Sequence, residues 1–458
     1  MFDVIIIGGG ICGTSIARQL SRYKLEIALL EKEEELAFGV SKSNSGIIHP
    51  GTQNSPNSLK GRLCVEGNRL ARSIFKELEI VFKEVGELIV IFDKKKLPEL
   101  LKIKKEAEKL GVKKLRVVDS RWLKKNEPNL SGKAYAALFA PTAGVVSPYR
   151  YVYALAENAA QNGVKIFLNN RVEKIDKINE KFIVKTNQSE YACKCLINAA
   201  GLYADEVSAL AGVGGYIIKP RKGEEYLLDK KLESISRHLI FPLPSKNSKG
   251  IIMIKTSDGN PMIGPTATET VDKEDLATTE DGLNKVLESI REMFPGISEK
   301  DIIAYFSGLR PVAGDDFVIK HEEKMPGLIN VLGIQSPGLT AAPAIAVLVG
   351  ELIEKTGLVL KKKIKFNKTQ KKRRRDAFDS DLVCRCELVS AGEIKEAIKR
   401  GARTLDGIKF RTRALAGRCH GGFCTTRVLK IMSKELNIPV AKLTKRGQGS
   451  EIIKHERA

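Results

Sequence analysis

Long apolar runs are missing from this chain of 458 residues. The best candidate, residues 341–350, falls well short of the roughly 20 residues a membrane-crossing helix needs, and it contains Pro343. No spanning helix is expected. The opening stretch, residues 1–8, lacks the basic segment and small-residue cleavage site of a secretory signal, so a cytoplasmic protein is expected. Cysteine is sparse and uneven, with eight in the chain and four of them between positions 384 and 424. Such placement excludes a disulfide-stapled scaffold. Aromatics are lacking where nucleic-acid binding would want them. Residues 361–376 carry ten basic side chains and one acid, yet Phe366 is the only ring among them. The stretch reads as a solvated linker, and no nucleic-acid partner is expected.

What is present is a globular profile, 43% hydrophobic and 29% charged. At roughly 100–200 residues per domain, the length allows about two to four domains with large cores. Lys and Arg exceed Asp and Glu by 77 − 55 = 22. That field attracts anionic substrates, acidic proteins and acidic headgroups, and it is compatible with peripheral contact at the inner face of a membrane.

Residues 3–7 form a continuous run, mostly β-branched, that suits a strand buried on both faces. Gly8-Gly9-Gly10-Ile11-Cys12-Gly13 follows, then a helical pattern over 14–21 and a second apolar strand over 27–30 ending at Glu31. Gly8 permits the tight turn, and Gly10 lets a pyrophosphate approach the helix N-terminus. Gly13 allows close packing of helix on strand, and Glu31 can accept from a ribose hydroxyl. The unit specifies a dinucleotide and leaves NAD or FAD open.

The next segment runs Ser41-Lys42-Ser43-Asn44-Ser45-Gly46-Ile47-Ile48-His49-Pro50-Gly51 and on to Ser58-Leu59-Lys60-Gly61-Arg62-Leu63-Cys64. Here the chain resembles the FAD-dependent oxidoreductases of the D-amino-acid-oxidase superfamily, in the branch of anaerobic-type glycerol-3-phosphate dehydrogenases and L-2-hydroxyglutarate dehydrogenases. Three further segments carry the likeness: residues 196–201, the turn Gly308-Leu309-Arg310-Pro311, and residues 333–340 ahead of a helical stretch over 341–354. The resemblance implies an α/β fold. A Rossmann-like FAD-binding domain would come from residues 1–75, 145–215 and 305–360. An interleaved α+β substrate domain would come from 76–144 and 216–304. It implies that Ser45 and Gly46 lie against the flavin, that Val172 lies near the adenine and Gly201 near the dinucleotide, and that Gly338, Leu339 and Thr340 present a helix N-terminus to the flavin ring.

Two catalytic candidates follow. His49, one of five histidines, stands in the flavin-adjacent loop. An imidazole suits removal of a hydroxyl proton at neutral pH, although the same residue could simply shape the loop. Arg310 would hold an anionic substrate group, or else cap its own turn. Arg221 and Lys222 would add positive charge or lie in a solvated turn. Tyr226 is expected to pack, as are Cys12, Cys64, Cys193 and Cys195.

Beyond the basic linker, 361–380, the pattern Cys384-x-Cys386 … Cys419-x4-Cys424 lies among short helices, with Ser390 and Glu393 forming a capping box. Residues 381–458 resemble the [2Fe-2S]-binding domain of bacterioferritin-associated ferredoxin. Four thiolates match a two-iron cluster. Structural zinc takes the same number, and His420 leaves a mixed ligand set open. The linker suggests a mobile attachment. A one-electron carrier argues for a dehydrogenase that feeds a protein subunit or a membrane quinone system rather than oxygen. The expected reaction is oxidation of sn-glycerol 3-phosphate to dihydroxyacetone phosphate. L-2-hydroxyglutarate is the alternative substrate, since residues 44–49 and 58–60 look nearer those relatives. An electron-transfer subunit with no substrate of its own is a further alternative.

Overall fold

The computed structural model describes residues 1–244, 250–369 and 381–453. Strand Phe2–Ile7 lies at the centre of a mainly parallel sheet, flanked by Ile27–Leu30 and Glu190–Asn198. Lys165–Phe167 extends one side, and Leu328–Leu332 pairs in parallel with the end of Glu190–Asn198. The run Val4 to Ile6 is fully buried, as the β-branched pattern requires of a strand covered on both faces. Helices Ile11–Leu20, Pro148–Gln161 and Gly338–Glu354 cover one face through Ile16, Tyr151, Val152 and Ile345. Helix Leu59–Glu77 crosses Gly338–Glu354 almost backbone to backbone. A Cβ at Gly67 would lie 2.1 Å from the Thr340 carbonyl oxygen.

A second sheet joins segments far apart in sequence. Its order is Thr268–Glu269, Lys219–Leu228, Pro261–Gly264, Ile252–Lys255, Leu239–Pro242, Glu87–Ile91, Ala136–Ala140 and Arg116–Asp119. Strand Ile302–Val312 pairs with Lys219–Leu228 along its whole length. Helix Glu280–Met293 covers the outer face with Val286, Leu287 and Ile290 against Tyr226, Leu228 and Ile263. The boundary expected at 305 therefore falls inside a strand, and Arg310 arrives on the second sheet. A turn read from Gly308 and Pro311 is in fact continuous strand, because the pairing with Lys219–Leu228 supplies partners for its backbone.

Residues 381–453 form a small helical body with its own core, including Ile394, Ile408, Val428 and Met432. Ser390 and Glu393 form the expected capping box ahead of helix Ala391–Lys399. The mobile attachment is corrected by what holds this body down. Glu35, fully buried in the first lobe, accepts from Arg411 at 2.7 Å and from the Arg403 N–H at 3.0 Å. Phe410 packs between Phe38 and Tyr149, at ring separations of 5.8 and 4.9 Å. Arg413 reaches Asp258 at 3.1 Å and Glu387 at 2.8 Å. The first part of the basic linker is also pinned: Phe366 lies under the Arg22 guanidinium, and the Asn367 N–H donates to Asn162 at 2.9 Å. The rest of the linker, 370–380, lies outside the described residues. Among the described residues no helix is long and apolar enough to cross a membrane.

Candidate functional site

A cleft of about 980 Å³ separates the two sheets. Its floor is the glycine turn. Gly8 has φ +110°, and a Cβ there would lie 2.4 Å from the Ala199 carbonyl oxygen. Gly13 lies behind the turn, where a Cβ would meet the Gly8 oxygen at 1.9 Å. These two glycines hold the first helix against its strand and leave Gly10 open to the cleft. The Ile11 N–H at that helix N-terminus donates to Ser41 Oγ at 2.9 Å, which adds a hydroxyl to the anion cradle. Glu31 accepts from the Gly9 N–H at 2.7 Å and the Glu33 N–H at 2.9 Å. Burial still raises its carboxyl above the ordinary range. Val172 and Gly201 line the same end.

The opposite wall is built by strand register. Arg221 pairs with Arg310, Gly223 with Gly308 and Glu225 with Phe306. Side chains alternate along a strand, so Arg221, Gly223 and Glu225 line the cleft while Lys222, Glu224 and Tyr226 point away. Lys222 is correspondingly 6% exposed and ion-paired to Asp275, so it adds no charge to the cleft. Tyr226 packs, as expected. The Arg310 guanidinium lies over Gly223, where a Cβ would come within 2.3 Å of Nη2. Arg310 donates to the Thr266 carbonyl at 2.8 Å.

His49 lines the cleft between the two walls. Its N–H donates to Thr340 Oγ1 at 2.9 Å, and its carbonyl accepts from Asn68 Nδ2 at 3.0 Å and Cys64 Sγ at 3.6 Å. Nδ1 lies 4.0 Å from Oε2 of Glu87, which is 1% exposed and bonded by Thr52. Ser45, Gly338 and Leu339 line the cleft. Gly46 and Thr340 are not among its lining residues. Gly46 has φ +67° and serves the loop's bend, while Thr340 braces the His49 backbone and donates to the Ile47 carbonyl.

Sequence reading missed Glu225. Ser45 Oγ donates to its Oε1 at 3.1 Å, and burial pushes its carboxyl up to about 7, against the opposing Arg310 charge and the Ser45 hydrogen bond. A faint signal was available, since two adjacent glutamates interrupt an otherwise buried strand. The shift makes a stability prediction. Below pH about 4.5 the carboxyl is protonated in both folded and unfolded chains. Above that, the unfolded chain ionises first, so folding loses on the order of 3 kcal/mol, and the decline levels off only above the folded value of about 7. Denaturant unfolding of Glu225→Gln should remove this decline. A parallel decline in both proteins would show that Glu225 is not its source.

The four distal cysteines stand as two pairs. Cys386 and Cys419 have their sulfurs 3.5 Å apart, and Cys384 is in hydrogen-bond contact with Cys424. N–H groups of Phe423, Gly421 and Gly422 point at Cys419 and hold its thiol below the ordinary range. Among the described residues, no three Cys, His, Asp or Glu side chains gather around a single-ion position. Two pairs are what two irons with two thiolates each need, so the donor set fits a [2Fe-2S] cluster. His420 Nε2 is engaged by the Ile303 carbonyl at 2.6 Å.

A cleft cradled by glycines and lined by Glu31, His49 and Arg310 fits FAD by its chemistry. Family comparison agrees: residues 3–352 match the family model described as FAD dependent oxidoreductase. The chain belongs to this family. Residues 382–434 of the oxidoreductase match the BFD-like [2Fe-2S] binding domain. A protein of Caloramator mitchellensis called glycerol 3-phosphate dehydrogenase is 39% identical, across 99% of this chain and 98% of its own. A glycerol 3-phosphate oxidase of Mycoplasma genitalium is 33% identical, across 80% of this chain and 97% of its own. The solved, FAD-bound L-alpha-glycerophosphate oxidase of Mycoplasma pneumoniae superposes with a TM-score of 0.77 at 30% identity, covering 80% of this chain and 98% of that one.

Proposed function

We propose that this oxidoreductase converts sn-glycerol 3-phosphate to dihydroxyacetone phosphate and passes the electrons on through its own cluster. The observation that carries the reading is the pair of cations set side by side by register, Arg221 and Arg310, within reach of one cleft that also holds His49. A phosphate needs such a clamp, and a secondary alcohol needs such a base. FAD, when bound, takes the two electrons and the hydrogen from carbon, and the cluster carries electrons singly. His49 receives the C2 hydroxyl proton, and the Glu87 carboxylate behind Nδ1 favours the imidazolium that results. Cys384, Cys386, Cys419 and Cys424 hold the irons. Residues 1–75, 145–215 and the later part of 305–360 hold FAD, and the second sheet, with 302–312, holds substrate.

The relatives support the choice of acceptor. The Mycoplasma genitalium oxidase is nearly complete without about a fifth of this chain, whereas the dehydrogenase relative matches it throughout. The extra length is close to that of the C-terminal body. A carrier protein or membrane quinone system is the proposed destination.

Anaerobic mixing tests the reading. Glycerol 3-phosphate should bleach the flavin, and unphosphorylated glycerol should do so poorly. Arg310→Ala should weaken substrate binding by about 2–5 kcal/mol, because a buried anion loses its partner. Equal rates with both alcohols would remove the clamp. Faster bleaching by L-2-hydroxyglutarate would replace the substrate; a protein of Indibacter alkaliphilus bearing that dehydrogenase's name is 30% identical.

A further inference from the structure

Glu225 has no part in the chemistry described above. It stands on the cleft side of strand Lys219–Leu228, in line with Arg221 and Gly223. Its side chain is 4% exposed, and that remnant opens to the cleft. One carboxyl oxygen is fixed by Ser45, while the other is buried without a protein partner. A buried carboxyl with unmet hydrogen-bonding capacity is costly unless a ligand completes it.

Its position also poses an electrostatic problem. Arg221 and Arg310 recruit an anion into the cleft, and an ionised carboxyl beside them repels one. A ligand that is anionic at both ends, such as a 2-hydroxy dicarboxylate, gains at the cations and offers Glu225 nothing but acceptors. A ligand with a phosphate at one end and a free hydroxyl at the other gives each group its complement. The hydroxyl donates to the carboxyl, and the phosphate stays with the arginines.

We propose that Glu225 is a specificity-determining residue, whose carboxyl accepts a hydrogen bond from the substrate hydroxyl that is not oxidised. In glycerol 3-phosphate this is the C1 hydroxyl, so the inference rests on the substrate reading above. Ser45 is the positioning residue that fixes the carboxyl. The site then selects phosphate esters of vicinal diols over 2-hydroxy acids, through an acceptor that punishes a ligand lacking the donor.

The test compares glycerol 3-phosphate with 2-hydroxypropyl phosphate, the same ester without its C1 hydroxyl, in FAD-loaded full-length protein. The unaltered protein should favour glycerol 3-phosphate in kcat/KM by roughly 5- to 150-fold, the range for leaving one buried acceptor unpaired. In Glu225→Ala the preference should fall close to unity while FAD stays bound. Glu225→Gln keeps an acceptor oxygen and should retain most of the preference, which guards against an alanine variant that does not fold. Equal use of both esters by the unaltered protein would overturn the inference and leave the substrate reading intact. Loss of FAD from Glu225→Ala would make the residue a cofactor contact and also overturn it. Failure of both esters to reduce the flavin would bring down the substrate reading and this inference together.

Discussion

Flavin reduction by His49→Gln is expected to run roughly 10²- to 10⁴-fold slower than in the unaltered protein, with FAD still bound. The loop should survive the change, because it is held through the His49 main chain. Thr340 takes the N–H, and Asn68 and Cys64 take the carbonyl. What glutamine removes is a group able to accept a proton. It also removes the partner of Glu87, whose carboxylate lies 4.0 Å from Nδ1 and is almost fully buried. That carboxylate stabilises the ring after protonation more than before, so it favours transfer in the forward direction. Reduction followed by stopped flow across pH should lose its acidic limb in the variant. An effect smaller than about tenfold would reduce His49 to a loop-shaping residue.

The second large effect lies away from the cleft. Glu35→Ala should weaken the seating of residues 381–453 on the rest of the protein by about 3–5 kcal/mol, the usual cost of leaving one member of a buried ion pair alone. Arg411 has a side chain only 9% exposed, lies against the Tyr153 ring at 3.9 Å, and points at Glu35. Without the carboxylate its charge stays buried and unpaired. Space is equally tight: a Cβ at Gly407 would lie 2.0 Å from Glu35 Oε1, so no side chain larger than glycine's fits there without displacing the carboxylate. Hydrogen exchange should rise in helix Leu405–Thr412 and around Phe410, and single-electron delivery from flavin to cluster should slow. Replacing both partners, as Glu35→Gln with Arg411→Met, should recover much of the loss because no lone charge remains. Unchanged exchange in the single variant would show that the aromatic contacts of Phe410 suffice.

Much of the fold was legible in the sequence wherever the cause is local. The turn Gly8 to Gly13 and its flanking strand and helix are set by steric demands within a few residues. The helix after Ser390 is set by a cap that spans three positions. Helix Pro148–Gln161 starts where proline at its first turn allows. The Cys384/Cys386 and Cys419/Cys424 spacing marked a four-thiolate site, and family likeness made iron rather than zinc the expected metal. Ser45, His49 and Arg310 were found through family likeness, since nothing in their own neighbours marks them as facing one cleft.

Tertiary structure alone decided which charges meet. Arg221 and Glu225 face the cleft, and Lys222 does not, because the side-chain period of a strand is two and its register is fixed by a partner some 85 residues away. Glu87 stands behind His49 because strand Glu87–Ile91 enters the second sheet between Leu239–Pro242 and Ala136–Ala140. Glu35 meets Arg411 across 376 residues. A basic linker suggested a loose tail, but burial of one ion pair and three aromatic rings holds that tail against the first lobe. Local propensities act over a few residues and can be read in order along the chain. Electrostatic pairing acts through space, and only the folded chain brings its partners within range.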